Sequence, residues 1–379
     1  MKNRGIAEFY LERKYTMFEK LTETLDSFIS DYGIPFYDCI VMKDGDCVYR
    51  HANGFTDSER SKAVTGDELY NIYSCSKFIT CVAALKLYEK GIIRLDDELC
   101  KYMPEFTDMT VMSDGKAVPA SKKITVEHLF TMTAGFSYNL NSPMLKLCRA
   151  ETGGECPTAE TMKYLAKEPL LFEPGYRWEY SLCHDVLAAL VEKVSGVGFG
   201  EYVKKNIFDV CGMEHSTFLP DEKTFERIIN QYRYNPQTGK VEECNKDCAY
   251  RIGTKYESGG AGCVSTVDDY IKFLEGVRTY KLLKKETVDL LSTNHMTKQQ
   301  MDMPSYWVKD KRGYGLGQQC QREGDTKRPD FGWGGAAAAY YFIDRTRNVS
   351  AYFGTHVLGY DAFSQRRPCI VEIIQGILD

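Results

Sequence analysis

Strand-forming segments occupy the two ends of this 379-residue chain, and helix-forming segments fill the stretch between them. That order leaves few ways to build a core. Near the start, FYDCIVM, KDGD and CVYRHANGF read as strand, tight turn and strand, with Asp44-Gly45 at the hairpin tip. Near the end, YGLGQQC, AAAAYYFIDR and VSAYFGTH carry strand signals, and RNV reads as the turn joining the last two. Antiparallel strands from the two ends can share one sheet, packed by the terminal helices. The expected fold class is α+β: a sheet built from both chain ends, flanked by terminal helices, with a mostly helical lobe inserted. Residues 1–95 and 257–379 would form the discontinuous sheet domain, and 96–256 the helical domain.

The helices follow from apolar spacing. Residues 14–31 place Phe18, Leu21, Leu25, Phe28 and Ile29 on one face, and Gly33 and Pro35 end the run. A helix is expected from Ser74 to Glu89, closed by Gly91. ITVEHLFTMTAG, TAETMKYLAKEP and CHDVLAALVEKVSG have helical period in the middle region, as do Thr266–Val277, Lys285–Leu291 and Cys369–Leu378 later on.

Composition narrows the function classes. With 48 Lys+Arg against 53 Asp+Glu, a net charge of −5 argues against a nucleic-acid partner. No apolar run approaches the ~20 residues of a membrane span, so no membrane association is expected. The opening MKNRGIAEFYLERKYTMFEK is charged throughout, without the apolar core of a secretory leader. Fourteen cysteines scatter without the spacing of a disulfide scaffold, which fits a reduced cytoplasmic location. Cys244 and Cys248 read as free thiols on a polar loop. His51, His128, His184, His215, His295 and His356 form no ligand pattern, so no metal is expected. His128 and His184 read as structural.

Three constellations carry chemistry. In Ser74-Cys75-Ser76-Lys77, residues three apart share a helix face, so Lys77 can reach the Ser74 hydroxyl. A hydroxyl needs a neighbouring base to become a nucleophile, and a desolvated amine accepts a proton more readily. If Ser74 opens the helix, its backbone N–H points outward as half of an oxyanion hole. A second S-x-x-K, Ser113–Lys116, sits in a polar turn and reads as solvated loop. Tyr180, in the loop before the helix that starts near Asp185, offers a phenol for proton transfer. Trp333-Gly334-Gly335-Ala336 reads as glycines opening a strand where something approaches the backbone closely, with the Ala336 N–H as the second oxyanion donor. No G-x-S-x-G elbow occurs, so an α/β-hydrolase has no nucleophile here.

S-x-x-K on a helix, then Tyr180-Ser181-Leu182, then Trp333-Gly334-Gly335, in that order, resembles the serine β-lactamase-like superfamily. Among its branches the chain is most similar to class C β-lactamases and, more so, to family VIII carboxylesterases. GIIRLDDEL, ITVEHLFTMTAGF, FEPG and SGGAGCVSTVDDYIKFL support the likeness, which runs from about residue 36 to 355. The resemblance implies a β-lactamase/transpeptidase-like fold, Ser74 as acylated nucleophile, Lys77 and Tyr180 as one coupled proton system, and Ser74 and Ala336 N–H groups as the oxyanion hole. Trp333 replaces a lysine and Leu182 an asparagine of the class C pattern. Both changes remove groups suited to a β-lactam and favour an ester or apolar acyl group. Trp333, Gly334, Gly335, Leu182 and Tyr138 are the expected substrate-binding residues. The expected activity is ester hydrolysis through an acyl-serine. The alternative is a β-lactamase, D-amino-acid peptidase, amidase or acyltransferase using the same site on a small-molecule substrate. No cofactor is needed, and the sequence carries no signal for an oligomeric state.

Overall fold

The computed structural model describes residues 18–308, 312–322, 324 and 329–379. At its centre lies a seven-stranded antiparallel sheet drawn from both chain ends. Asp46–Gly54 forms one edge, followed by Phe36–Lys43, Val349–Gly354, Tyr340–Asp344, Phe331–Gly334, Gln319–Cys320 and Gly313–Tyr314. The register sets Cys39 opposite Phe353 and Ile40 opposite Tyr352. Alternation along each strand then sends these two pairs to opposite faces. On one face Tyr37, Cys39, Val41, Phe342 and Phe353 pack against Leu21, Leu25 and Phe28 of the first helix and against Ile370 and Ile374 of the last. On the other face Ile40, Tyr341, Ile343 and Tyr352 meet Phe78 and Tyr270, with the Phe78 and Tyr341 rings stacked at 5.4 Å. The fold is thus the α+β arrangement expected, with the terminal helices on one face of the sheet.

The helix Ser76–Glu89 is enclosed on all sides: eleven of its fourteen residues are buried. A helix apolar all round belongs in the middle of a core. The sheet lies on one side of it and Cys183–Ser195 on the other, and one contiguous apolar cluster joins them. Gly91, at φ +68, closes the helix through Gly91 N–H to Tyr88 O (2.9 Å) and Ile92 N–H to Leu87 O (3.0 Å).

Several elements differ from the sequence expectation. The first helix spans 18–32, and residues 14–17 lie outside the described residues. ITVEHLFTMTAG is helical only over Val126–Phe130, because Met132 adopts φ +58, which no α-helix continues through. YGLGQQC folds back on itself as two short strands around Gly317 (φ +89), pairing Gln319 with Tyr314. In AAAAYYFIDR the strand starts only at Tyr340. Gly335 N–H donates to Ala339 O and Ala338 N–H to Gly335 O, with Ala338 at φ +70, so the alanines form a turn. Trp333-Gly334 therefore ends one strand rather than opening the next. The middle region also holds two hairpins, Thr110–Ser113 with Lys116–Pro119 and Gln231–Asn235 with Lys240–Cys244. Ser113 and Lys116 lie exposed at the tip of the first.

Candidate active site

Ser74 does not open the α-helix. It sits in a 3-10 turn, Tyr73–Cys75, and the helix proper begins at Ser76. Tyr73 holds φ +47, a left-handed conformation costing a non-glycine residue about 1–2 kcal/mol. Its surroundings hold it there. The Tyr73 hydroxyl donates to Gln231 Oε1, Gln231 Nε2 donates to Asn245 O at 2.6 Å, and the Tyr73 ring meets Tyr250 edge-on.

One helical turn on, Lys77 is fully buried. Its Nζ lies 3.4 Å from Ser74 Oγ, 3.3 Å from the Tyr138 hydroxyl and 2.7 Å from Gly260 O. The Tyr180 hydroxyl lies 2.6 Å from Ser74 Oγ. Tyr180 is held by stacking, between Tyr138 at 5.4 Å and Trp333 at 5.9 Å, with Lys77 Nζ 4.6 Å from its ring centre. The chain's three tryptophans meet around this phenol: Trp178, Trp333 and Trp307, the last 56% exposed.

Ser74 opens into a cavity of about 530 Å³, shared with Tyr180, Trp307, Trp333 and Ala336. Close contact explains the two glycines before Ala336. A Cβ on Gly335 would lie 2.5 Å from Ile72 O, so only glycine lets this turn close against the one carrying Ser74. A Cβ on Gly334 would lie 3.1 Å from the Arg367 guanidinium. Arg367 also lines the cavity and is 8% exposed. It donates to the carbonyls of Ala339 and Ser364 and has no carboxylate partner among the described residues. Burial lowers its pKa to about 10.

Leu182 stands elsewhere. As the N-cap of Cys183–Ser195 it turns inward, and it lines a separate cavity of about 190 Å³ with Phe136, Leu165 and Leu171. Tyr138, expected on the substrate wall, stands behind Tyr180 instead, where its hydroxyl accepts from Lys77. His184 is fully buried, with its pKa held near 3 by burial, and His128 completes a capping box with Thr125. Among the described residues no group of three metal-ligating side chains occurs, and no helix is long and apolar enough to cross a membrane. Trp307 and Arg367 escape the sequence reading. A tryptophan in a polar stretch is a usable signal for the first; nothing local marks the second.

The sheet is closed from both chain ends, and a serine, a lysine and a tyrosine gather at its junction with the helices. The β-lactamase family profile matches residues 19–368, and the chain belongs to that family. Esterase EstB of Burkholderia gladioli is 28% identical over 270 residues, 66% of this chain and 67% of that one. Lovastatin esterase of Penicillium rubens is 27% identical over 342 residues, 82% of this chain and 86% of the esterase. Among solved structures, EstCE1, a hydrolase with promiscuous acyltransferase activity, superposes with a TM-score of 0.78 at 22% identity, covering 97% of this chain and 99% of its own.

Proposed function

We propose that the protein is a serine hydrolase that cleaves carboxylic esters through an acyl-Ser74 intermediate. The observation that carries this reading is the 2.6 Å contact of Ser74 Oγ with the Tyr180 hydroxyl, with Lys77 Nζ 3.4 Å away, at the floor of an open cavity. Ser74 Oγ attacks the ester carbonyl while its proton passes into the Lys77–Tyr180 pair, which acts as one coupled system. The Ser74 and Ala336 N–H groups stabilise the developing oxyanion. The pair then returns the proton to the departing alkoxide, and water repeats the sequence to release the acid. Trp333 and Trp307 give the cavity an apolar wall. Arg367, a buried cation with no carboxylate partner among the described residues, favours esters that carry a negative charge. The esterases among the relatives support the same substrate class, and the fourteen free cysteines fit a reducing, cytoplasmic setting.

A fluorophosphonate probe read by mass spectrometry is expected to label Ser74, and Ser74→Ala to abolish both labelling and hydrolysis of p-nitrophenyl esters. Label on another residue, or full turnover by Ser74→Ala, refutes the reading. Nitrocefin hydrolysis far faster than ester hydrolysis would replace the ester by a β-lactam.

A further inference from the structure

A fully buried ammonium needs a counter-charge, because desolvating an unpaired charge costs several kcal/mol. Lys77 has no carboxylate within ion-pair distance among the described residues; its contacts are two hydroxyls, a carbonyl and the faces of the Tyr138 and Tyr180 rings. Asp185 stands nearby, in the first turn of Cys183–Ser195, and is 1% exposed. Its Oδ1 accepts from Ser258 Oγ at 2.7 Å and from the Tyr256 hydroxyl at 3.1 Å, while its Oδ2 is sealed from water against the backbone of Gly260. Oδ2 is aimed at Gly260: a Cβ there would lie 2.4 Å from it and 3.2 Å from the Tyr138 hydroxyl. Gly260 in turn presents its carbonyl to Lys77.

We propose that Asp185 is a positioning residue for proton transfer, a buried counter-charge that faces Lys77 across Gly260 and sets the pH at which the site loses its proton. This rests on the assignment of Ser74, Lys77 and Tyr180 made above. Two hydroxyl donors and the positive end of the helix favour the ionised carboxylate. Burial pushes the Asp185 carboxyl up, and the Lys77 charge, the Ser258 and Tyr256 hydroxyls and the Gly260 backbone pull it back. The other ionisable groups facing the pair are uncharged near neutrality. Burial depresses His184 to about 3, pushes Cys75 and Cys183 up to about 12 and 11, and raises Cys81, Tyr138 and Tyr256 as well. Cys248 and Tyr250, both raised by burial, and the Tyr180 phenol complete the surroundings. A Cβ on Gly260 would clash with Oδ2 at 2.4 Å, so a side chain there would displace the carboxylate.

The test is the pH dependence of kcat/KM on a p-nitrophenyl ester. Without the negative charge the site gives up its proton more easily, so Asp185→Asn is expected to move the acidic limb down by about one pH unit. Tyr256→Phe keeps the ring and removes one donor to Oδ1, and is expected to move the limb the same way by less. A purely structural role lowers kcat or melting temperature and leaves the limb in place; that result in Asp185→Asn overturns the inference. Should Asp185→Asn not fold, an unmoved limb in Tyr256→Phe overturns it. Ser74→Ala separates the two levels: turnover by that variant defeats the site assignment, whereas an inactive Ser74→Ala beside an unmoved Asp185→Asn limb defeats only this inference.

Discussion

Gly335→Ala tests how closely the turn ahead of Ala336 must pack on the turn that carries Ser74; these two residues are the proposed oxyanion donors. The new methyl would lie 2.5 Å from Ile72 O and 3.5 Å from Cys75 Sγ, so it meets both ends of the turn that carries Ser74. Carbon–oxygen contacts settle at about 3.3 Å, so one backbone must retreat by about 0.8 Å. Neither side yields easily. Gly335 N–H is bonded to Ala339 O at 2.8 Å, and Cys75 N–H to Ile72 O at 3.2 Å. Overpacking of this kind costs about 1–3 kcal/mol of stability. A misplacement of about 1 Å at reacting groups costs about 100-fold in rate. The expected result is a kcat lower by about 100-fold with KM little changed, alongside a lower melting temperature. Steady-state kinetics on p-nitrophenyl esters and a thermal melt read both. A folded Gly335→Ala enzyme with wild-type kcat would refute the argument that the gap between Ile72 and Gly335 sets the site.

Three further outcomes follow from the same geometry. His184 and His356 are fully buried, and burial depresses both to a pKa of about 3. Because the unfolded chain binds these protons at a pH of about 6.5, stability is full above that pH and falls as pH drops toward 3, by about 1.4 kcal/mol per pH unit for each histidine. His356→Gln is therefore expected to flatten the slope of denaturant stability between about pH 6 and 5, and an unchanged slope contradicts this. Arg367→Met is expected to raise KM by about 10-fold for esters bearing a carboxylate while sparing neutral ones; equal effects on both would show that the guanidinium is structural. Gly376, in the helix Cys369–Leu378, has nothing within 4 Å of where a Cβ would lie. Gly376→Ala is expected to stabilise by about 0.4–1 kcal/mol in denaturant melts, and a loss of stability would show that the helix end is constrained by something other than its own backbone.

Local chemistry is legible in the sequence wherever spacing along one element decides it. Cys369–Leu378 is readable residue for residue because its apolar period is strong. The approach of Lys77 to Ser74 follows from their separation of three residues, which the 3-10 turn running into the helix keeps on one side. Tyr180 lies 106 residues from Ser74, and only the order of the three constellations points to it. What stays hidden depends on contacts between distant segments. The direction of Leu182 is set by how Cys183–Ser195 enters the core. The turn at Ala336–Ala339 is set by Ala338 adopting a conformation that alanine rarely takes. Arg367 reaches the cavity only because the last helices fold back beside Gly334.

The strand Phe36–Lys43 finds its partner in Val349–Gly354, more than three hundred residues later. Ser74 therefore leaves the ribosome long before the sheet beside it can close. A chain stopped just ahead of Val349 is expected to carry Ser74, Lys77 and Tyr180 but to lack the strand that joins the two ends of the sheet, and so to have no folded site.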